Sequence, residues 1–319
     1  MTPNFFLVGA PKCGTTALSR YLREHPAVFL SRPKEPHFFA SDFPGYVVVP
    51  SRAAYDDLFA LASPAHQAIG EASVWYLFSE AAIPAIRRYN PDARLIVMLR
   101  NPLDMIPSLH SQLFHTYDED EPDIAVAWEL QAARAAGRRI PPRCREPAFL
   151  QYARVGRLGE QVVRLLADLP REQVKLIVFD DFQTQTRAVY EEALQFLGVE
   201  SDAREHFPPV NENKRRRAHG PARLIERPPA PLVRMGRELA SVTGLALGRS
   251  WAEAKRRLRR VNTARVRRPP LEPGLRAAMA DAFRADVEAL SELLDRDLRG
   301  WLQPEGIERP VPPTVKGVE

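Results

Sequence analysis

Cysteine is scarce in this sequence. The 319 residues contain two cysteines, Cys13 and Cys144, and Cys13 lies in a glycine-bounded turn where a disulfide would be awkward. This is not the disulfide framework that small secreted domains use to reinforce a small core. The composition therefore fits a reducing compartment, and we expect a cytoplasmic protein.

Long apolar stretches are also lacking. The apolar residues near the start of the chain, Phe5–Val8, are far too few for a membrane span or a signal peptide. We therefore expect no segment that crosses a membrane. Hydrophobic residues still make up 45% of the chain, which is enough for the core of one large α/β domain or of two smaller ones.

Lysine is also in short supply, with six among the 45 basic residues. The excess of arginine has two explanations. Either the genome favours arginine codons, or the protein binds an anion such as phosphate or sulfate, for which a guanidinium is the better partner. The formal net charge is only +5, because 40 acidic residues oppose the basic ones, so we do not expect a nucleic-acid partner.

Short apolar strands alternate with amphipathic helices over the first 200 residues. Such alternation predicts a parallel sheet with right-handed crossovers, that is, an α/β fold with a central parallel sheet flanked by helices on both faces. The predicted strands are 4–8, 27–30, 67–73, 93–100 and 174–179. The predicted helices are 15–26, 51–62, 80–91 (disturbed at Pro84), 102–114, 154–170, 187–198 and one or two within 271–302.

A glycine-containing turn joins the first predicted strand to the first helix, in the segment GAPKCGTTAL. A helix that begins directly after such a turn presents backbone N–H groups and the positive end of its dipole to an anion, so the fold is expected to be P-loop-containing. Gly9 and Gly14 have the spacing of a Walker motif, but Thr15 stands where that motif has its lysine. The lysine here is Lys12, two residues before the second glycine.

This turn resembles the 5′-phosphosulfate loop of sulfotransferases that use 3′-phosphoadenosine 5′-phosphosulfate. A second motif strengthens the resemblance, because LIVMLRNPLDMIPSLHSQ is similar to the family's 3′-phosphate motif and has Arg100 after a strand and Ser108 in the next helix. A nucleotide phosphorylated at both ends needs two anion sites, and arginine gives one of them a permanent forked charge. The donor-binding residues that the resemblance implies are Lys12, Cys13, Gly14, Thr15, Thr16, Ala17, Arg100 and Ser108, with Lys12 also in a catalytic role and 3′-phosphoadenosine 5′-phosphate as the product.

The segment KEPHFF follows the second strand and resembles one in the heparan sulfate sulfotransferases and their bacterial relatives. In that group the glutamate is the general base, which implies this role for Glu35, with Lys34 and His37 beside the acceptor. Transfer to an alcohol needs such a base, and a carboxylate near aromatic rings is expected to have a raised pKa. Because other sulfotransferases use histidine, His37 stays open as the alternative base.

One further segment is assigned by resemblance and another by its position. GEASVWYL is similar to a segment that lines the cleft, so Trp75 and Tyr76 are candidates for contact with adenine or acceptor, a core role being the alternative. Residues 116–150 carry no recognisable motif and are expected to form an acceptor-side insertion.

The basic segment NENKRRRAHG falls where relatives have a loop that closes over the nucleotide. We expect a single domain over 1–305 with this basic lid at 208–232, followed by a mobile tail at 306–319. The candidate donor-binding residues of the lid are Lys214, Arg215 and Arg216. The other explanation is a solvated run of charge.

The sequence therefore predicts in-line transfer of a sulfuryl group to the hydroxyl of a carbohydrate or of a glycosylated or other small molecule. No His/Cys cluster has metal-ligand spacing, so no metal is expected, and a homo-oligomer is compatible with the sequence. One alternative is a P-loop kinase or NTPase, in which Asp180 after the strand LIVF would bind Mg²⁺. Another is a non-enzymatic binder of nucleic acid or of an anionic surface through the runs KRRR and KRRLRR.

Overall fold

The computed structural model describes residues 1–210 and 270–303, and in addition the backbone of two short strands, Lys214–Arg216 and Thr263–Arg265. The chain divides into two compact units, Met1–Val210 with Leu271–Glu319, and Asn211–Pro270. The two short strands belong to the second unit and pair with each other antiparallel. The tail expected at 306–319 lies outside the described residues, as does most of the lid expected at 208–232.

The first unit is organised around five parallel strands, which confirms the predicted α/β fold. They are β1 (Phe5–Gly9), β2 (Val28–Leu30), β3 (Ala68–Ala72), β4 (Arg94–Leu99) and β5 (Val174–Val178), in the spatial order β2-β3-β1-β4-β5. All four pairings are parallel. Every residue of β1 and β3 is buried, as expected when helices cover both faces of a parallel sheet.

The helices of the described residues follow the predicted order. They are α1 (Thr15–Arg23), α2 (Arg52–Asp57), α3 (Ala82–Tyr89), α4 (Pro102–Thr116), α5 (Ile124–Glu129), α6 (Gln131–Ala135), α7 (Tyr152–Gly156), α8 (Leu158–Asp168), α9 (Phe179–Thr184), α10 (Thr186–Leu197) and α11 (Pro273–Leu293). Single 3-10 turns occur at Pro44–Tyr46, Pro147–Leu150, Arg171–Gln173 and Arg299–Leu302.

Two predicted helices differ in the structure. The helix predicted at 154–170 is two helices, α7 and α8, because Arg157 between them is not helical and the carboxylate of Asp286 accepts hydrogen bonds from the N–H groups of Gly159 (2.9 Å) and Glu160 (2.8 Å). Asp286 lies on α11 and so caps α8 from a distant part of the chain. Helix α3 begins at Ala82, so Pro84 falls in its first turn, where a missing N–H leaves no intrahelical bond unmade.

The last described residues contact the ends of the central strands. Asn101 caps α4 through its side chain and donates a hydrogen bond of 2.9 Å to the carbonyl of Trp301. The indole of Trp301 donates in turn to Asp180 at the start of α9, at 3.0 Å. The segment after α11 therefore holds together the turns that follow β4 and β5.

Candidate active site

The turn between β1 and α1 has the geometry of an anion site. Gly14 has φ +89° and is the residue before α1, which it caps without any side chain. A β-carbon on Gly14 would lie 2.8 Å from the ring of Phe179, so the position requires glycine on two grounds. The N–H groups of Thr15 and Thr16 precede the first intrahelical hydrogen bonds, which run from Ala17 and Leu18 to the carbonyl of Gly14.

Lys12 joins this turn to the rest of the site. Its backbone has φ +66°, its ammonium group donates to Gln112 of α4 at 2.9 Å, and its carbonyl accepts from Arg100 at 3.0 Å. Arg100 follows β4, and its guanidinium lies 4.7 Å from the centre of the Phe179 ring. The phosphate-type turn and the arginine of the second motif are thus in direct contact.

Cys13 and Ser108 are both buried. Burial raises the pKa of the Cys13 thiol to about 12, and the thiol donates weakly to the carbonyl of Pro11 at 3.4 Å. Because this thiol is neutral and enclosed, Cys13 can take part in anion binding only through its backbone N–H. Ser108 lies on α4 and is 3% exposed.

Residues 34–40, which we call the Glu35 segment, follow β2 and cross the end of β3. Glu35 donates its N–H to the carbonyl of Ala72 at 2.9 Å. Glu35 and His37 have φ values of +64° and +51°, a region that side-chain-bearing residues seldom adopt. The turn after β1, Arg100 after β4 and Glu35 after β2 therefore all lie at the carboxyl edge of one parallel sheet, the edge where such folds bind ligands.

Glu35 is ionised, in contrast to the raised pKa expected from its aromatic neighbours. Burial alone would raise the pKa of Glu35, but His37 and the charge of Lys34 outweigh it and hold the pKa at about 2. Lys34 pairs with Glu35 directly, whereas Nε2 of His37 lies 3.6 Å from Oε2 of Glu35. That distance exceeds a normal hydrogen bond, so the imidazole acts on the carboxylate across a longer electrostatic contact. The expected raised pKa was therefore wrong.

The imidazole of His37 is enclosed by aromatic rings. It is 2% exposed, and its ring lies edge-on to Tyr46 and Tyr76, with centroid distances of 6.2 and 6.1 Å. Within the described residues neither ring nitrogen has a hydrogen-bond partner. A buried donor and acceptor without partners is costly, which makes this imidazole a natural contact for a polar group of a substrate.

Glu71 is a member of the site that the sequence reasoning missed. It lies in β3 with no exposed surface, and its carboxylate accepts hydrogen bonds from Ser73 (2.7 Å), Tyr76 (2.7 Å) and Tyr55 (3.3 Å). Burial raises the pKa of Glu71 to about 7, against the effect of these three hydrogen bonds and of Lys34. A single acidic residue inside the otherwise apolar strand AIGEA was the signal that could have identified it.

Trp75 and Tyr76 are interior side chains, with exposures of 2% and 0%. Trp75 stacks on Phe149 at 3.5 Å, and the hydroxyl of Tyr76 bonds Glu71 and the N–H of Phe39. Their burial favours the core role that the sequence left open over direct contact with a ligand.

The segment 116–150 is anchored beside the Glu35 segment. Tyr46 donates to Asp118 at 3.0 Å, and Asp118 also binds Arg145, whose guanidinium lies 4.0 Å above the Tyr46 ring. Deeper in the segment, Arg134 makes two hydrogen bonds of 2.6 and 2.7 Å to Glu119, and neither side chain is exposed. The acceptor-side role expected for this insertion stays a prediction.

Lys214, Arg215 and Arg216 form a strand of the second unit, β6 (Lys214–Arg216), which pairs with β7 (Thr263–Arg265). Their assignment to the donor remains a prediction.

The aspartates after β5 have structural partners. Asp180 accepts from Trp301, and Asp181 is paired with Arg296. These contacts do not favour the Mg²⁺ role that a kinase would give Asp180. In the part of the chain that the structure describes, no cluster of three or more His, Cys, Asp or Glu residues is arranged to hold a metal ion, and no helix is long and apolar enough to span a bilayer.

Comparison with known proteins agrees with this geometry. Human carbohydrate sulfotransferase 15 is 33% identical over 147 residues, which cover 33% of this chain and 26% of that protein. Human bifunctional heparan sulfate N-deacetylase/N-sulfotransferase 3 is 28% identical over 211 residues, covering 62% of this chain and 22% of that protein. The chain thus spans about a quarter of the length of these relatives.

A solved structure matches over nearly the whole chain. The crystal structure of a sulfotransferase from Alicyclobacillus acidocaldarius superposes with a TM-score of 0.67 at 27% identity, covering 95% of this chain and 100% of that one. The sulfotransferase domain model matches residues 2–213. This chain therefore belongs to the sulfotransferase family.

Proposed function

We propose that the protein transfers the sulfuryl group of 3′-phosphoadenosine 5′-phosphosulfate to a hydroxyl group of a carbohydrate, or of a glycosylated or other small molecule. The observation that carries the proposal is the contact between Arg100 and the carbonyl of Lys12, at 3.0 Å. It joins the turn suited to the 5′ end of the donor to the arginine suited to its 3′ end. The ionised Glu35 lies at the same edge of the sheet.

The residues at this edge fit a doubly phosphorylated nucleotide. The open N-terminus of α1, with Gly14 before it, offers backbone N–H groups from Cys13 to Ala17 for the 5′-phosphosulfate. Arg100 has five N–H donors, of which one is engaged by Lys12, and it would bind the 3′-phosphate together with Ser108. The bound donor supplies an activated sulfuryl group whose leaving phosphate must be stabilised.

Lys12 would supply that stabilisation. Its ammonium group bonds Gln112 at 2.9 Å and would shift to the bridging oxygen of the donor as negative charge develops on the leaving phosphate. No thiol is suited to a covalent intermediate at this end of the site, because Cys13 is buried and uncharged. Positioning and charge stabilisation would therefore provide most of the rate enhancement.

Glu35 would take the proton of the acceptor hydroxyl. Its side chain is 34% exposed, whereas that of His37 is 2% exposed, so an acceptor reaches the carboxylate first. The carboxylate is held deprotonated by Lys34 and His37, and the acceptor hydroxyl would displace Lys34 from it. His37 would then orient the carboxylate or the acceptor, and it remains the alternative base.

The acceptor class is proposed from the relatives. Two of them carry carbohydrate or heparan sulfate in their names, which supports a carbohydrate as acceptor. The insertion 116–150 is attached to the Glu35 side of the site through Tyr46 and Asp118, so it would help to select the acceptor.

An acceptor screen with labelled donor tests the proposal, run with the wild type, Glu35→Gln and the control Glu80→Gln. Glu80 forms an exposed ion pair with Arg154 and lies outside the site. We expect Glu35→Gln to lose roughly 10²–10⁴-fold in turnover, as removal of a general base does, while keeping its affinity for 3′-phosphoadenosine 5′-phosphate. The control should keep wild-type turnover. Unchanged turnover of Glu35→Gln would assign the base role to His37.

Thermal melting provides the second arm. The bisphosphate nucleotide without metal should raise the melting temperature of the wild type, because a ligand that binds only the folded state stabilises it. Stabilisation by ATP with Mg²⁺ alone would contradict the proposed donor.

A further inference from the structure

Glu71 has an unusual position for a carboxylate. It is fully buried in β3, a strand at the interior of the sheet, and its Cα is paired with that of Phe6 in β1. It does not contact the Glu35 segment directly, and the catalytic proposal above makes no use of it. A buried carboxylate is costly and requires a specific reason to be kept.

Two of the hydroxyl groups that bond Glu71 also bond the backbone of the Glu35 segment. Ser73 donates to Oε2 of Glu71 at 2.7 Å and accepts from the N–H of His37 at 3.1 Å. Tyr76 donates to Oε1 of Glu71 at 2.7 Å and accepts from the N–H of Phe39 at 3.3 Å. Both bridges run from Glu71 to the segment that carries Glu35 and His37.

The direction of these hydrogen bonds depends on the charge of Glu71. A hydroxyl group has one proton, and an ionised carboxylate can only accept. Ser73 and Tyr76 therefore point their protons at Glu71, which leaves their oxygen lone pairs for the N–H groups of His37 and Phe39. A neutral carboxyl group would instead donate its own proton to one of these oxygens and compete with the backbone N–H there.

We propose that Glu71 is a positioning residue that holds the Glu35 segment in its catalytic conformation through Ser73 and Tyr76, and that it does so only when it is ionised. This inference rests on the proposed function of Glu35. It explains how residues with positive φ at positions 35 and 37 are held in place, since such conformations persist only when surrounding contacts fix them. The segment is then ordered at neutral and alkaline pH and loosened in acid.

The groups that face Glu71 come from several elements. Ser73 and Tyr76 follow β3, Tyr55 comes from α2, and the Glu35 segment contributes the positive charge of Lys34. Tyr89 of α3 lies behind Tyr55, with ring centroids 5.8 Å apart. With these neighbours the pKa of Glu71 is about 7, far from that of Glu35 at about 2. A fall in kcat/KM below about pH 7, the acid limb of the pH profile, can therefore be distinguished from titration of Glu35.

The kinetic test is the pH dependence of kcat/KM for the acceptor. For the wild type we expect a fall of roughly tenfold for each pH unit below about 7, as protonation of one essential group gives. Glu71→Gln should show a low, pH-independent value in this range and unchanged nucleotide affinity. The inference would be overturned if Glu71→Gln kept both the fall in kcat/KM below pH 7 and the wild-type value of kcat/KM above it.

Tyr55→Phe is the matched control. The hydroxyl of Tyr55 donates to Glu71 at 3.3 Å and, within the described residues, bonds no atom of the Glu35 segment, so the variant removes a donor to the carboxylate without removing a bridge. The ring of Tyr55 packs against Phe38 and Phe39, and phenylalanine keeps that packing. Loss of a donor raises the pKa of a carboxylate. The acid limb should move to higher pH while the plateau stays at the wild-type value. A limb that stays in place would assign the titration to another group and contradict the inference.

Amide exchange tests the same bridges without any substrate. The peptide spanning 34–40 is followed in the wild type, Glu71→Gln and Ser73→Ala at pH 6 and pH 8, corrected for intrinsic exchange. We expect protection at pH 8 in the wild type, lower protection at pH 6, and low protection in both variants at either pH. Ser73→Ala keeps the experiment informative should Glu71→Gln fail to fold. Equal protection in the wild type and Ser73→Ala would overturn the inference.

Failure of the proposed function and failure of the positioning role of Glu71 would give different results. A wild type that transfers no sulfuryl group to any acceptor would contradict the proposed function, while the exchange result would still stand or fall by itself. A wild type that transfers normally, with the same acid limb as Glu71→Gln, would remove only the positioning role.

Discussion

The guanidinium of Arg100 and the main-chain carbonyl of Lys12 are joined by a hydrogen bond of 3.0 Å. A residue after β4 thereby fixes the turn after β1, although 88 positions separate them in the chain. Both groups of the proposed donor site therefore depend on one side chain, and removal of that side chain has two effects. It takes away a charged ligand for phosphate and it releases the turn.

Arg100→Ala should weaken binding of 3′-phosphoadenosine 5′-phosphate. A hydrogen bond to a charged group contributes about 1.5–3 kcal/mol, so a loss of roughly 10–100-fold in affinity is expected by calorimetry. Arg100→Lys keeps the charge but loses the fork, and should fall between the two proteins. Equal affinity of Arg100→Ala and the wild type would refute the 3′-phosphate assignment.

Gly14→Ala should destabilise the fold and impair nucleotide binding. Residue 14 has φ +89°, and a new methyl group would lie 2.8 Å from the Phe179 ring, so crowding adds about 1–3 kcal/mol to the strain of about 1 kcal/mol for a left-handed residue. Gly137→Ala is the control, because Gly137 has φ +74° and no atom within 4 Å of the new methyl group. The difference in free energy of unfolding between the variants measures the crowding alone. Equal losses would contradict it.

Glu119→Gln should destabilise the insertion 116–150. The change leaves the buried guanidinium of Arg134 without its charged partner, at a cost of about 3–5 kcal/mol. Arg154→Gln breaks the exposed pair with Glu80 and should cost at most about 1 kcal/mol. Chemical denaturation gives both values, and similar losses in the two variants would show that burial of the first pair has no energetic role.

Glu71→Gln should change the pH dependence of stability. The pKa of Glu71 is about 7 in the folded protein, above the ordinary 4.5, so the folded state binds this proton more tightly than the unfolded chain. The stabilisation of the folded state by this proton is complete below the ordinary pKa and is lost as the pH rises through about 7. Between pH 5 and 8 the wild type should lose ~2–3 kcal/mol relative to Glu71→Gln. A difference that does not vary with pH would contradict the raised pKa.

Much of the proposed donor site follows from local sequence. Arg100 comes directly after a continuous apolar strand, and Gly14 directly before an amphipathic helix, so both could be placed at one sheet edge without coordinates. The same holds for Glu35, which follows β2. Parallel strands bring their carboxyl ends to one edge whatever the details of the connections.

The electrostatic state of the acceptor side could not be predicted in this way. The pKa of Glu35 depends on Lys34 and His37 closing on it, and that arrangement requires positive φ at residues 35 and 37, which the sequence does not announce. Glu71 acquires its partners from the turn after β3, from α2 and from the Glu35 segment. The break between α7 and α8 is set by Asp286, 127 residues from Gly159. The helix break arises from a contact between segments far apart in the chain. The partners of Glu35 and two of the partners of Glu71 are near neighbours in sequence, and it is the local backbone conformation and the burial that bring them together.

The contacts of Trp301 bear on the order in which the enzyme matures during synthesis. Asn101 at the start of α4 and Asp180 after β5 both bond this one residue, which the ribosome adds 200 positions after Asn101. A nascent chain that ends before Trp301 therefore lacks both of these hydrogen bonds. The turns after β4 and β5 therefore gain their common partner only when the segment beyond residue 270 has been synthesised.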